Sequence, residues 1–206
     1  MPDGQVVHII EDDPAVSESL ALLLKSAGLV VLLYASAQEF LDRNPTPCGC
    51  VVSDVLMPGM SGLELLEEMR KRRILVPTIL MTAFADVPVA VKAMKLGAVD
   101  FIEKPFDDEL IVTSVRAALA RRGDWRAGDG EALEARQMLS SLTARERDVL
   151  DGLLKGRLNK TIAYDLGISV RTVETHRANL MTKTGAQSLS ELVRMSLLAE
   201  STPDSI

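Results

Sequence analysis

Four short apolar blocks in the first half of the chain lead into residues able to do chemistry. VVHII is followed by Glu11, Asp12 and Asp13, CVVSD ends on Asp54, PTILMT ends on Thr82, and VDFI is followed two positions later by Lys104. Carboxylates gathered at one place repel one another unless a cation sits among them. An oxygen-preferring divalent ion resolves that repulsion, and Mg²⁺ held by carboxylates plus a phosphoryl oxygen suits such a set. Lys104 would set a positive charge against a further phosphoryl oxygen, and the Thr82 hydroxyl would donate to another. A carboxylate is itself a competent nucleophile toward phosphorus, forming an aspartyl phosphate. The constellation therefore predicts phosphorylation of an aspartate. Taken singly, each residue is an ordinary loop polar, Asp13 most of all; four strand ends together point to a site.

The elements that must bring them together can be read from periodicity. Segments 6–10, 29–34, 50–54, 77–82 and 99–102 are apolar on both faces, and helical patterns fall near 15–27, 37–43, 62–73, 87–96 and 107–120. Strands of this kind alternating with helices predict a parallel sheet covered on both sides, an α/β domain with a five-stranded doubly wound sheet. Functional groups in such sheets collect at the carboxyl ends of the strands, where these residues fall. Pro58 cannot continue a strand, and Gly59 and Gly62 permit a bend that would hold Asp54 at the sheet edge. This first domain is expected over 1–120. Residues 121–139, GDWRAGDGEALEARQ within them, read as a linker containing Trp125, with helix from Glu131 onward.

From 140 to 206 every pattern is helical, predicting an all-α domain of four helices. Thr143 and Glu146 have the spacing of a capping box opening a helix through Lys155. Asn159 is expected to cap a second helix through Leu166, and Ser169 a third through Met181; a fourth covers 189–198. Ile162, Ala163, Leu166, Ile168, Val173 and Leu180 have the spacing to bury the contact between the second and third helices, with Gly167 in the turn.

IIEDD, SDVLMPGMSGLELL, ILMTA and DFIEKPF resemble, in order and spacing, the signature of response-regulator receiver domains, a flavodoxin-like fold, over residues 5–120. The resemblance implies that Asp54 is the phosphoacceptor and that Glu11 and Asp12 are the acidic pair beside Mg²⁺, with the Leu56 carbonyl as a third metal ligand beside Asp54. It implies a switch pair, Thr82 and Phe101, and a phosphate-binding Lys104. The family usually has Asp where this chain has Glu11, and Asp13 aligns one position beyond the pair. Leu56 and Phe84, two positions after Asp54 and Thr82, are apolar and predict slow hydrolysis of the aspartyl phosphate.

The run from Leu142 to Ser188 resembles the LuxR-type helix-turn-helix of NarL/FixJ regulators, and the whole chain is most similar to the FixJ subfamily. Its third helix would present Arg171, Glu174, Thr175, Ala178 and Thr182 on one face toward base edges in a major groove. Glu174 could accept from a cytosine amino group, and Thr175 or Ala178 could touch a thymine methyl. Asn159, Lys160, Arg171, Thr172, His176, Arg177 and Lys183 complete the expected contacts, most of them to phosphates.

Composition agrees with a two-module protein. The 206 residues are 47% apolar and 25% charged, with a net charge of −6. Residues 1–120 hold 10 Lys and Arg against 17 Asp and Glu, whereas residues 140–206 hold 9 against 8. Cys48 and Cys50 alone are too few for a metal centre. No apolar run approaches the ~20 residues of a membrane span, and the start of the chain lacks the basic and apolar regions of a secretory signal. A dehalogenase-type phosphatase would need an aspartate where Leu56 stands, and neither G-x-G-x-x-G nor G-x-x-x-x-G-K-[ST] occurs. The expectation is a cytoplasmic transcription regulator, not an enzyme. Its expected partners are a histidine kinase as phosphodonor, double-stranded DNA, RNA polymerase and a second copy of the chain on phosphorylation, with no membrane contact.

Overall fold

A computed structural model describes residues 6–43, 48–83, 86–120 and 129–200. Phe84 and Trp125 lie outside the described residues. Two compact units are present, one built on a sheet and one on helices.

The first unit is a parallel sheet of β1 (Val6–Ile10), β2 (Val30–Tyr34), β3 (Cys50–Asp54), β4 (Thr78–Thr82) and β5 (Asp100–Glu103), in the order β2-β1-β3-β4-β5. Every residue of β3 and β4 is buried, which is why these segments read as unbroken apolar runs instead of alternating ones. Val7, Ile9, Val52, Ile79 and Met81 pack on α1 (Pro14–Ser26) and α5 (Asp108–Ala120). Ile10, Tyr34 and Val51 pack with Phe40 of α2 (Ala37–Asp42) and with Leu65 and Met69 of α3 (Gly62–Lys71). Helix α4 (Val87–Lys95) lies between β4 and β5 in the chain. The doubly wound architecture expected from the sequence is thus present.

Local chemistry starts these helices where the site needs them. Asp13 caps α1, its carboxylate accepting from Ala15 N at 2.8 Å with Pro14 in the first turn. The Ser61 and Glu64 capping box starts α3 directly after the bend that follows Asp54. Gly62 is required there for space: a Cβ on it would collide with the Asp54 carbonyl oxygen. Asp13, the extra acid of the EDD run, thus has a helix-capping role.

Alongside α4, which groups with it, the second unit comprises α6 (Asp129–Ser140), α7 (Ala144–Leu154), α8 (Asn159–Leu166), α9 (Val170–Thr184) and α10 (Leu189–Glu200). Four of these correspond to the expected helices. The fifth, α6, occupies part of the segment expected to be linker; its Ala132 and Ala135 are buried, and Arg136 donates to the Ala199 carbonyl at 2.9 Å. Two local expectations are corrected. Asn159 does not cap α8: Leu158 is the cap residue, without a side-chain hydrogen bond, and Asn159 is the first helical residue. Helix α9 runs on to Thr184 and stops at Gly185, whose φ of 69° is the left-handed conformation that ends helices. The capping box of Thr143 and Glu146 is present. Gly167, with φ 65°, makes the turn between α8 and α9.

Candidate functional site

Because all five strands are parallel, their carboxyl ends share one edge, and the chemical residues collect there. Glu11 and Asp54 are buried, Asp12 is exposed, and one carboxylate oxygen from each lies within 4.8 Å of the others. The Lys104 ammonium closes the group, donating to Glu11 Oε2 at 2.7 Å and to Asp54 Oδ1 at 3.0 Å. Lys104 is held in place through its backbone, whose N–H donates to the Thr82 carbonyl at 2.7 Å. The other Asp54 oxygen accepts from the Leu56 backbone N–H at 3.2 Å. Sequence-expected Glu11, Asp12, Asp54, Leu56, Thr82 and Lys104 are therefore neighbours along one edge.

Electrostatics fit this arrangement. Burial pushes the Glu11 carboxyl above its usual value, and the Lys104 ammonium beside it offsets part of that. Burial also works against a charged Lys104, yet the hydrogen bonds to Glu11 and Asp54 outweigh it and raise its pKa. Lys104 is thus held as a cation. Three acids with oxygen donors this close are suited to a hard divalent cation.

Thr82 and Phe101 are buried, at 1% and 8% exposure. Both members of the switch pair that the resemblance implies are therefore buried in this structure. Leu56, by contrast, is 58% exposed beside Asp54.

In the helical unit the expected base-reading residues Arg171, Glu174, Thr175, Ala178 and Thr182 are all exposed, as is Lys160. The Thr175 hydroxyl donates to the Arg171 carbonyl at 3.0 Å. Its single proton is used inside the helix, so outward it can only accept or offer its methyl. His176 is half-buried. Thr172, also half-buried, shares a 2.8 Å hydrogen bond with Ser169 at the start of α9.

Two residues expected at phosphates have internal partners. Arg177 donates to Asn159 Oδ1 at 2.9 Å, and the Lys183 ammonium lies 2.8 Å from Glu146 Oε2. The Lys183 ammonium and the Thr143 capping hydrogen bonds hold the Glu146 carboxyl at about 2. The sequence signalled Glu146 only as half of a capping box; its second partner is 37 positions away.

An acidic edge with a lysine on a doubly wound sheet, followed in the chain by a helix-turn-helix, is the make-up of a response regulator. Residues 7–116 match the response regulator receiver domain family, and residues 140–196 match the luxR family of bacterial regulatory proteins. The transcriptional regulatory protein FixJ of Azorhizobium caulinodans is 54% identical, over 98% of this chain and 97% of that one. FixJ of Rhizobium meliloti is 47% identical over 93% and 94% of the two chains. The crystal structure of full-length FixJ from B. japonicum is similar with a TM-score of 0.56 at 46% identity, covering 95% of this chain and 97% of that one. The chain belongs to the FixJ-type response regulators, DNA-binding transcription regulators of two-component systems. It is not an enzyme by this kinship: FixJ and the response regulator TodT of Pseudomonas putida, 42% identical, are regulators.

Proposed function

We propose that Asp54 is the phosphoacceptor, receiving its phosphoryl group from a partner histidine kinase. The observation that carries this reading is the Lys104 ammonium held between Asp54 and Glu11 at the carboxyl edge of the sheet. The Asp54 carboxylate attacks phosphorus; the bond from phosphorus to the donor breaks, and the donor leaves with its electron pair. Lys104 then pairs with one phosphoryl oxygen and Thr82 donates to another. Glu11, Asp12 and Asp54, with the Leu56 carbonyl, would hold Mg²⁺, which when bound screens the charge of the incoming phosphoryl group. The test is labelling by acetyl phosphate, with Asp54→Asn compared against the parent. Loss of label in a variant with an unchanged circular dichroism spectrum is expected; undiminished labelling would place the acceptor elsewhere.

Phosphorylation is proposed to act through association of two chains. A single helix-turn-helix makes few phosphate contacts, and a net charge of +1 over 140–206 attracts DNA weakly. Two copies on half-sites about one helical turn apart would gain affinity through effective concentration. The segment from Val87 through Phe106, the fourth helix and fifth strand, is the proposed dimer face; within it Lys95 is exposed and Leu96 half-buried, but Val91, expected to be exposed, is buried at 4% and offers no surface. Sedimentation with beryllofluoride at about tens of micromolar, where micromolar affinity registers, should show a dimer; a persistent monomer would defeat this route. RNA polymerase is the proposed partner once DNA is bound, and the cytoplasm the proposed compartment. Among the described residues no helix is long and apolar enough to cross a membrane.

A further inference from the structure

Helix α9 is held on both flanks by side chains that the DNA-contact pattern had assigned to phosphates. With about 100° per residue counted from Arg171, the exposed Glu174, Thr175, Ala178 and Thr182 lie within about 60° of it. The buried Val173, Leu180 and Thr184 lie on the far side, at roughly 180–220°. Lys183 falls at about 120° and Arg177 at about 240°, one on each side between the outward face and the core. Both point their charge inward to a partner, Lys183 to Glu146 in the first turn of α7 and Arg177 to Asn159 in the first turn of α8.

We propose that Glu146 is a positioning residue for DNA recognition: by holding Lys183 it fixes the roll of α9 about its axis, and Lys183 anchors the recognition helix without contacting phosphate. The inference rests on α9 being the helix that reads DNA.

The geometry of the carboxylate carries the argument. One oxygen, Glu146 Oε2, accepts both the Thr143 backbone N–H at 2.8 Å and the Lys183 ammonium at 2.8 Å. The first of these donors is among those a helix N-terminus leaves without an intrahelical partner, so the capping box fixes where the carboxylate sits. Glu146 is 3% exposed. Drawing Lys183 away to a phosphate would leave a buried carboxylate without its cation, which is costly. An ammonium already neutralised by a carboxylate also releases little counterion from DNA, so it adds little to salt-dependent attraction. Lys183 lies nine residues beyond Glu174, about 13 Å along the axis. It therefore acts on the base-reading face by setting the helix angle, at a distance from the bases themselves.

The test uses the full chain, a duplex enriched from a random pool by the parent protein, and unenriched random-sequence duplex. Equilibrium binding is measured across several salt concentrations for the parent, Glu146→Gln, Lys183→Met, the double variant, Lys183→Arg and Lys160→Met. If the inference holds, each single change at Glu146 or Lys183 weakens enriched-duplex binding by about tenfold, the worth of one charge-assisted hydrogen bond. Random-sequence binding and the salt slope stay as in the parent, the double variant is no worse than either single one, and Lys183→Arg recovers most of the loss. Lys160→Met, at an exposed phosphate-side residue, instead lowers the slope by about one on both duplexes. A slope lowered by about one in Lys183→Met but unchanged in Glu146→Gln makes Lys183 a phosphate contact and overturns the proposal. Should either single variant unfold, as read by circular dichroism, the pair of Glu146→Gln with Lys183→Gln decides, because an amide at 146 keeps an oxygen for the Thr143 backbone N–H and an amide at 183 keeps a donor to reach it. Enriched-duplex binding recovered above the single variants with an unchanged salt slope supports the clamp, and a folded pair with no recovery or with a slope lowered by about one refutes it. A parent chain that enriches no duplex at all defeats the DNA-binding reading itself, an outcome visible before any variant is made.

Discussion

Lys104 lies 2.7 Å from Glu11 and 3.0 Å from Asp54, so one ammonium joins the end of the first strand to the end of the third. The longer Glu11 side chain, where the family usually has Asp, makes the shorter of the two contacts. Replacing Lys104 by Met leaves two buried carboxylates facing each other without their cation and removes the donor for a phosphoryl oxygen. Labelling of Lys104→Met by acetyl phosphate is expected to slow by about ten- to a hundredfold, the range for a charge-assisted hydrogen bond. Labelling at the parent rate would show that Lys104 does not serve the phosphoryl group.

Gly62 offers a test of how tightly the edge is built. Its position against the Asp54 carbonyl oxygen leaves no room for a methyl group. Gly62→Ala must displace the backbone that carries the nucleophile. We expect a loss of about 1–3 kcal/mol in urea unfolding, typical of overpacking, together with slower labelling. Unchanged values for both would mean that the bend yields freely.

His8 is buried in β1, with Nδ1 3.0 Å from the Tyr34 hydroxyl and Nε2 3.3 Å from the Cys48 carbonyl. A carbonyl can only accept, so Nε2 carries the proton, and Nδ1 accepts from the tyrosine. Burial lowers the His8 pKa below its usual 6.5, with the Cys48 hydrogen bond opposing. The unfolded chain thus takes up this proton first. The stability conferred by neutral His8 is complete well above pH 6.5 and declines as pH falls below it. The urea midpoint of the parent should drop between pH 7.5 and 5.5, and that of His8→Gln should drop less. Parallel drops in the two proteins would remove His8 as the cause.

Leu56 is the apolar neighbour of Asp54 that the structure leaves open to solvent. It cannot position a hydrolytic water by hydrogen bonding. Leu56→Asn is therefore expected to shorten the lifetime of the phosphorylated chain several-fold, followed as loss of label after the donor is removed. A lifetime equal to or longer than the parent's would show that Leu56 does not limit hydrolysis.

Asp54, Lys104 and their neighbours were legible because a parallel sheet places every strand end on one edge, so strand order and residue type sufficed. The exposed face of α9 was legible because helical spacing alone defines a face. What escaped was long-range pairing. The spacing of Thr143 and Glu146 announces a helix start, yet nothing near Glu146 announces Lys183. Asn159 had the composition of a cap, but the helix begins one residue earlier and uses its side chain for Arg177. Helix α6 was expected within the linker from Glu131 onward, but its burial was not, because Ala132 and Ala135 are small residues that give a weak apolar period. His8 was read only as part of an apolar strand, because its partners, Tyr34 and the Cys48 carbonyl, lie 26 and 40 positions away.

The Glu146 carboxyl, held at about 2 from an ordinary 4.5, makes the helical unit sensitive to acid. Hydrogen bonds to Lys183 and to the Thr143 backbone favour its charged form, so the folded chain binds this proton less readily than the unfolded one. The sign follows: the contribution is full above about pH 4.5 and is lost as pH falls toward 2. Glu146→Gln removes the titration while keeping an oxygen for the cap. At pH 6 the variant should unfold at a lower temperature than the parent, and the gap between them should narrow steadily as the pH is lowered to about 3, inside the window where the carboxylate is being lost. Melting followed by circular dichroism checks this. A gap that stays constant with pH would show that Glu146 acts by packing and not by charge, and would leave Lys183 without an ionic anchor.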